Sequence, residues 1–191
     1  MLPDEKYKQQ YEEWARHDLE YWNGDAYKNH AFSQLKRYNF LALNVEGKVL
    51  DVGCGAGTEA IWLLALSKND IEIVAVDIAK TYLERLRIAK YAEPINAIAE
   101  QLPFKDKAFD CVVMSEILEH VPNPELLIEE AKRLAKKKII LTVPLNTPNP
   151  GHVRQYNEET FATLLKEHGI SANIKILKGK EITFIGAVCT L

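Results

Sequence analysis

The chain has 191 residues, 47% of them hydrophobic, and a net charge of −3. That is enough apolar material for one globular domain with its own core, and the mild acidity excludes the strongly basic surface of a phosphate-backbone binder. No apolar run approaches membrane-spanning length and the start, MLPDEKYKQQ, carries no signal peptide, so a cytoplasmic protein without nucleic-acid or membrane partners is expected.

Residues 4–44 read as helical and are unusually aromatic, with Tyr7, Tyr11, Trp14, Tyr21, Trp22, Tyr27, Phe32, Tyr38 and Phe40. They precede the first strand, so they are expected to lie over a core that they do not build. From Gly47 onward the pattern alternates. Strands are expected at 48–52, 71–76, 94–98, 109–114 and 138–143, with helices at 57–68, 79–91, 124–136 and 158–168. Runs such as IEIVAV and CVVM are what strands covered on both faces look like, and alternating β and α implies a parallel sheet with helices on both sides. Lys136, Lys137 and Lys138 read as a solvated helix end. The tail, ANIKILKG and EITFIGAVCTL, reads as an antiparallel hairpin around Gly179-Lys180. Cys54, Cys111 and Cys189 fit no metal-binding spacing and are expected as buried free thiols.

The first strand runs into VLDVGCGAGTEA, residues 49–60. Glycines at the carboxyl end of a strand let a ligand approach the backbone. The dinucleotide fingerprint G-x-G-x-x-G would place its third glycine at 58, but 58 is Thr and the glycine is Gly57. The loop also carries Asp51 and no lysine or arginine. A pyrophosphate gains nothing from that carboxylate, whereas a ligand with an ammonium and a sulfonium does. The second strand ends at Asp77, twenty residues after Gly57, placed to accept two ribose hydroxyls.

VLDVGCGAG, VAVDIA and AEQLPFKDKAFDCVVMSEILEHV, in this order, resemble the class I S-adenosylmethionine-dependent methyltransferases, close to the ubiquinone-pathway O-methyltransferase-like group. The resemblance covers residues 45–191 and implies a Rossmann-like doubly wound α/β fold, mostly parallel with a C-terminal antiparallel hairpin, preceded by a helical lid over residues 1–44. It implies S-adenosylmethionine as cofactor and S-adenosylhomocysteine as product. By position, the backbone of Gly53, Cys54 and Gly55 would run along the methionine and ribose. Asp51 would hold the ammonium or else brace the loop. Asp77 would bind the ribose with Ile78 on the adenine, Glu100 or Gln101 would meet the adenine amino group beside Leu102, and Ser115 and Glu116 would sit near the methionine part. YEEWA is similar to the family's Tyr-x-x-Trp-Ala segment that closes over the cofactor, so Tyr11 or Trp14 would touch it, Trp14 also facing the acceptor.

Methyl transfer needs alignment, exclusion of water, and a base only if the acceptor loses a proton. Glu116-Ile117-Leu118-Glu119-His120 offers one. As one helical turn it would put Glu116, Glu119 and His120 on one face, with His120 as base, helped by Glu116, or as a polar residue bonding nearby backbone. The same segment resembles metal-holding Glu-x-x-Glu-His stretches, so Glu116, Glu119 and His120 with His152 form an alternative divalent-metal set, less favoured than a metal-free site. In the loop 143–161, His152, Arg154 and Tyr156 are its polar tips, suited to an acidic or hydroxylated acceptor, unless Arg154 and Tyr156 pin the loop to the following helix; Asn157 and Thr160 suit a helix cap. Met114-Ser115-Glu116-Ile117 stands where base-modifying N-methyltransferases carry Asn/Asp-Pro-Pro-Tyr/Phe, which leans toward oxygen. The expectation is a monomeric or homodimeric enzyme methylating a small molecule, with a noncatalytic cofactor-binding partner protein and a nicotinamide-dependent reductase as rivals.

Overall fold

The computed structural model describes residues 5–21 and 24–191, and side chains outside residues 18–32. The expected lid therefore includes Trp22 and residues 1–4, which lie outside the described residues, as do the side chains of Tyr21, Tyr27 and Phe32.

Two helices come first, α1 (Glu5–Tyr21) and α2 (Gly24–Ala42). Then follow β1 (Gly47–Val52), α3 (Thr58–Leu66), β2 (Ile71–Asp77), α4 (Lys80–Ala89), β3 (Glu93–Asn96), β4 (Phe109–Ser115), α5 (Pro124–Leu134), β5 (Ala135–Pro144), α6 (Glu158–Glu167), β6 (Ala172–Lys178) and β7 (Thr183–Thr190). The strands form one sheet in the order β3-β2-β1-β4-β5-β7-β6. The pairs among β1 to β5 are parallel, while β7 runs antiparallel to both β5 and β6. This is the doubly wound, mostly parallel sheet with a terminal antiparallel pair that the sequence pattern predicts.

Successive strand residues face opposite sides of the sheet, and the core divides accordingly. Leu50, Val112, Ile139 and Leu141 pack under α5 and α6 with Leu127, Ile128 and Phe161. Val49, Ile73, Cys111, Val113 and Ile140 pack on the other face with Leu63 of α3 and Leu41 of α2. The second helix is thus not a cover lying over a finished core. Its last turns, with Tyr38, Phe40, Leu41 and Ala42 buried, are part of that core. Among the described residues, α1 packs chiefly on α4.

One boundary moves. Lys136, Lys137 and Lys138 belong to β5, not to the end of α5. The strand starts early because Ala135 already pairs with Phe109, across an irregularity in the β4 ladder. Lys137 lies 3.4 Å from Asp110 and Lys138 3.4 Å from Glu46, so these lysines meet acids. The Asn157/Thr160 capping box is present, Thr160 N–H donating to Asn157 Oδ1 at 2.8 Å and Asn157 N–H to Thr160 Oγ1 at 3.0 Å.

Candidate active site

The chain leaves β1 and returns on its other side through β4, so the topology switches between these strands. In such sheets the ligand crevice opens at the carboxyl ends there. The glycine loop occupies that end. Gly53 and Cys54 donate to the Val76 carbonyl at 2.9 and 3.0 Å, which folds the loop over the end of β2. Gly55 and Gly57 both have positive φ, 51° and 78°. They need it for different reasons. A Cβ on Gly57 would fall 2.1 Å from Leu86 Cδ2, so this glycine lets α4 pack against the start of α3. A Cβ on Gly55 would meet nothing within 4 Å; it would enter the crevice.

Asp77 is fixed by its own surroundings. Its Oδ2 accepts from Gly55 N–H at 2.9 Å and its Oδ1 from Ala79 N–H at 2.8 Å. Burial pushes its carboxyl up to about 6 although those amides pull it back. Glu100 shares the crevice, with Oε1 buried and unpartnered and its carboxyl raised by burial. Ile78, Gly53 and Gly55 complete this inner chamber, of about 220 Å³, and α1 covers it with Tyr7, Tyr11 and Trp14. Among the described residues its lining contains three acids, Asp77, Glu100 and Glu116, and no lysine or arginine. Asp51 lies behind the loop, 1% exposed, with Oδ2 unpartnered. Burial and then repulsion from Glu59 and Asp77 raise its carboxyl well above the usual range.

An outer chamber of about 650 Å³ adjoins the first through Trp14, Gly53, Gly55, Tyr82, Glu116 and His120. At its floor lies a buried cation that the sequence reading did not single out. Arg37 of α2 donates to Glu59 Oε2 at 2.9 Å, to Gln34 Oε1 at 3.1 Å (through Nε), and to Ser115 Oγ. Ser115 shares a 2.8 Å hydrogen bond with Thr142. Burial works against the Arg37 charge, yet Glu59 and Glu116 hold its pKa above the ordinary value. Glu116, at the end of β4 with φ 57°, accepts from Thr142 Oγ1 at 3.2 Å, and burial pushes its carboxyl up to about 7. The sequence signals were thin: an arginine in an aromatic helix, and Glu59 in the otherwise apolar TEAIWLLAL. Tyr7 and Tyr82 were likewise not assigned; Tyr7 bonds Tyr11 through the hydroxyls at 3.3 Å.

Residues 116–120 form a turn rather than one helical turn, His120 N–H donating to the Ile117 carbonyl at 3.0 Å. Glu116 therefore faces Arg37 and Thr142, while Glu119 and His120 turn toward the loop after β5. His120 Nδ1 is 3.0 Å from the Gly151 carbonyl and His152 Nδ1 is 3.0 Å from the Thr147 carbonyl. A carbonyl only accepts, so in the neutral rings Nδ1 carries the proton and Nε2 keeps its lone pair. The rings stand edge to face, 4.9 Å apart. Burial lowers the His120 pKa below its ordinary value. Glu119 is 1% exposed with neither oxygen hydrogen-bonded, Oε1 standing 4.0 Å from His120 Nε2; burial and then Glu116 raise its carboxyl well above the usual range. Glu119, His120 and His152 offer one ligand atom each within 4.8 Å of one another.

Arg154 and Tyr156 pin their loop, the second of the two roles open to them, Tyr156 on the following helix and Arg154 on the loop after β4. Arg154 donates to the carbonyls of Leu118 and Pro122, both at 2.8 Å, and to that of Val121. Tyr156 is buried against Phe161. A loop sequence does not show which way its side chains turn, and here three unsatisfied carbonyls after β4 claim the guanidinium. Of this trio, only His152 lines the outer chamber. Gln101 is exposed on a groove beneath α1, and Leu102 is buried in the core with its N–H on Glu130 Oε1 at 2.7 Å.

A doubly wound sheet, a glycine loop and two acids at the ends of β1 and β2 define a class I S-adenosylmethionine-dependent methyltransferase domain. The match to known families agrees: residues 50–142, just under half of the chain, fit the family described as "Methyltransferase domain". It is 34% identical over 146 residues to an uncharacterised protein of Methanocaldococcus jannaschii, covering 73% of this chain and 60% of that one. It is 36% identical over 95 residues to a ubiquinone biosynthesis O-methyltransferase of Pseudomonas putida, 47% of this chain and 40% of that protein. The chain thus spans about half the length of these relatives. Among solved structures, a methyltransferase of Haloferax volcanii in complex with the Trm112 activator superposes with a TM-score of 0.76 over 96% of both chains at 14% identity. A Thermotoga maritima protein described as a possible histamine N-methyltransferase gives 0.73 over 93% and 97% at 22% identity. At such identities these two similarities speak for the fold alone.

Proposed function

We propose that the protein transfers a methyl group from S-adenosylmethionine to a small-molecule acceptor, at oxygen, in the outer chamber. The observation that carries this is the inner chamber's lining: acids at the ends of β2 and β4, open space above Gly55, and no cation for a pyrophosphate among the described residues. Asp77 would accept from the ribose hydroxyls, Ile78 would pack on the adenine, and Glu100 would face its amino group. Asp51, with its unpartnered oxygen, would face the ammonium, and Arg37 is the buried cation available to the carboxylate. When bound, S-adenosylmethionine supplies an activated methyl group on a sulfonium. The chain's own work is to align the acceptor, exclude water with the α1 aromatics, and take the acceptor's proton on His120 Nε2.

The test is thermal unfolding with S-adenosylhomocysteine or NADH. A ligand at a hundred times its dissociation constant adds about 2.7 kcal/mol, which for this size raises Tm by roughly 5–11 °C. A shift with NADH alone, or with neither, sinks the reading. A shift with S-adenosylhomocysteine but no transfer to any hydroxylated acceptor would favour the noncatalytic partner. His120→Ala should lower kcat roughly 10²–10⁴-fold and leave the thermal shift intact.

A second reading of the same cluster has its own support. A buried, unpartnered carboxylate and two imidazoles whose Nδ1 atoms are anchored to carbonyls form a donor set suited to a divalent cation, with outer bonds that fix both rings. Glu119, His120 and His152 would hold it, where it would polarise the acceptor's hydroxyl; Glu116, part of the sequence-based set, lies outside this triad. Metal content after dialysis, and its loss in Glu119→Gln, separates the two readings.

A further inference from the structure

Helix α4 starts without a cap of its own. Its N-cap residue, Ala79, has no side chain that can accept a hydrogen bond, and the first N–H groups of a helix have no partner within it. The cap comes from 68 residues away. Glu12 of α1 accepts from Lys80 N–H through Oε1, and from Thr81 N–H at 3.3 Å and Thr81 Oγ1 at 2.8 Å through Oε2. A carboxylate at this end of a helix is also favoured by the aligned peptide dipoles. Partial burial pushes the Glu12 carboxyl up, but the Thr81 hydroxyl and the two amides hold it below the ordinary value.

The position of this contact matters. Glu12 lies on the same helix as Tyr7, Tyr11 and Trp14, which cover the inner chamber. The turn that it grips begins at Asp77. Asp77 Oδ1 holds Ala79 N–H, and Asn96 Nδ2 holds the carbonyls of Asp77 and Ile78 at 3.0 and 2.8 Å. Five residues, Asp77 to Thr81, thus face the crevice at one end and α1 at the other.

We infer that Glu12 is a positioning residue: its carboxylate latches α1 to the start of α4, so that the aromatic cover and whatever occupies the crevice stabilise one another through the Asp77–Thr81 turn. The part of this that concerns the occupant rests on the reading of the crevice as the cofactor site; the latch itself does not. Glu12 touches no reacting group and acts through the seating of Tyr11 and Trp14.

The experiment compares amide hydrogen exchange and S-adenosylhomocysteine dissociation in the wild type, Glu12→Ala and Glu12→Gln. In ligand-free Glu12→Ala, exchange should quicken in α1 and at Lys80 and Thr81 while β1, β4 and β5 keep their protection. Dissociation should quicken about tenfold, equivalent to about 1.4 kcal/mol. Glu12→Gln, which keeps one acceptor, should restore part of both. Unchanged exchange in α1 overturns the latch, and so does an equal loss of protection across the sheet, which would make Glu12 a general stabiliser. Quickened α1 exchange with an unchanged dissociation rate overturns the coupling. If the wild type fails to bind S-adenosylhomocysteine but α1 exchange responds as expected, the cofactor reading falls and the latch stands.

Discussion

Gly55 and Gly57 both have positive φ but opposite neighbours, so the same substitution should separate stability from binding. Gly57→Ala meets Leu86 and also incurs the left-handed penalty, roughly 1–2 kcal/mol before any clash. It should lower Tm clearly in calorimetry. Gly55→Ala incurs the backbone term alone, and its methyl group points into the crevice. Its larger effect should be on S-adenosylhomocysteine affinity by titration. Equal behaviour of the two variants would refute this division. The sequence spacing showed that Gly57 is out of place for a dinucleotide motif, but not why a glycine is needed there. That reason is Leu86, twenty-nine positions away, and only packing reveals it. The Arg37–Glu59–Ser115 group was hidden for the same cause: its members sit on three elements and form no local pattern.

At the level of elements, the short loop after β4 is held less by its own turn than by Arg154 from the loop after β5. Removing that guanidinium leaves the partly buried carbonyls of Leu118 and Val121 without this partner, while the exposed one of Pro122 can turn to water. Arg154→Ala should therefore destabilise the protein and, because His120 rides on this loop, lower kcat more than it raises KM. A rise in KM alone would instead place Arg154 on the acceptor. Asn157→Ala removes one half of the α6 capping box and should cost about 1 kcal/mol, read as a Tm loss of roughly 2–4 °C with no kinetic change. Strand and helix order was legible because buried parallel strands and amphipathic helices leave period-specific patterns; the capping box was legible because its partners are three residues apart. The start of β5 was not, since three lysines argue against a strand until Asp110 and Glu46 are seen beside them. The role of α2 was missed because an aromatic helix before the first strand can cover a core or enter it, and its last turns enter it.

Across the whole molecule, the ends of β1, β2 and β4 gather buried carboxyls whose pKa values are raised, Asp77 to about 6 and Glu116 to about 7, with Asp51, Glu59, Glu100 and Glu119 also raised. A raised carboxyl binds more protons in the folded than in the unfolded chain, so stability falls as pH rises from the ordinary carboxylate range through the folded value. His120 acts in the opposite sense: its lowered pKa gives stability that is lost as pH falls below about 6.5. Asp77 and Glu116, with folded values of about 6 and 7, titrate within the neutral range and set the sign against the one histidine. The ligand-free protein should melt higher at pH 5.5 than at pH 8, and a cationic occupant should narrow the gap by offsetting the charge that opens at high pH. Calorimetry at the two values, with and without S-adenosylmethionine, checks this; a higher melting point at pH 8 without ligand would contradict it. Asp77→Asn should flatten the dependence. A binding site is stored here as a stability deficit that its ligand can remove.

All three cysteines are free and buried. Cys111 and Cys189 lie within the sheet, but Cys54 sits in the glycine loop, its thiol raised well above the ordinary value by burial and then by Asp77, Asp51 and Glu59. An alkylating reagent meets little of it while that loop is closed, since Cys54 is 6% exposed at the edge of the outer chamber and burial suppresses the reactive thiolate, so loop opening should speed its labelling. The rate at which the Cys54 peptide gains mass in native buffer is thus a built-in clock for loop opening, with Cys111 and Cys189 as internal references for global unfolding, and it needs no introduced label.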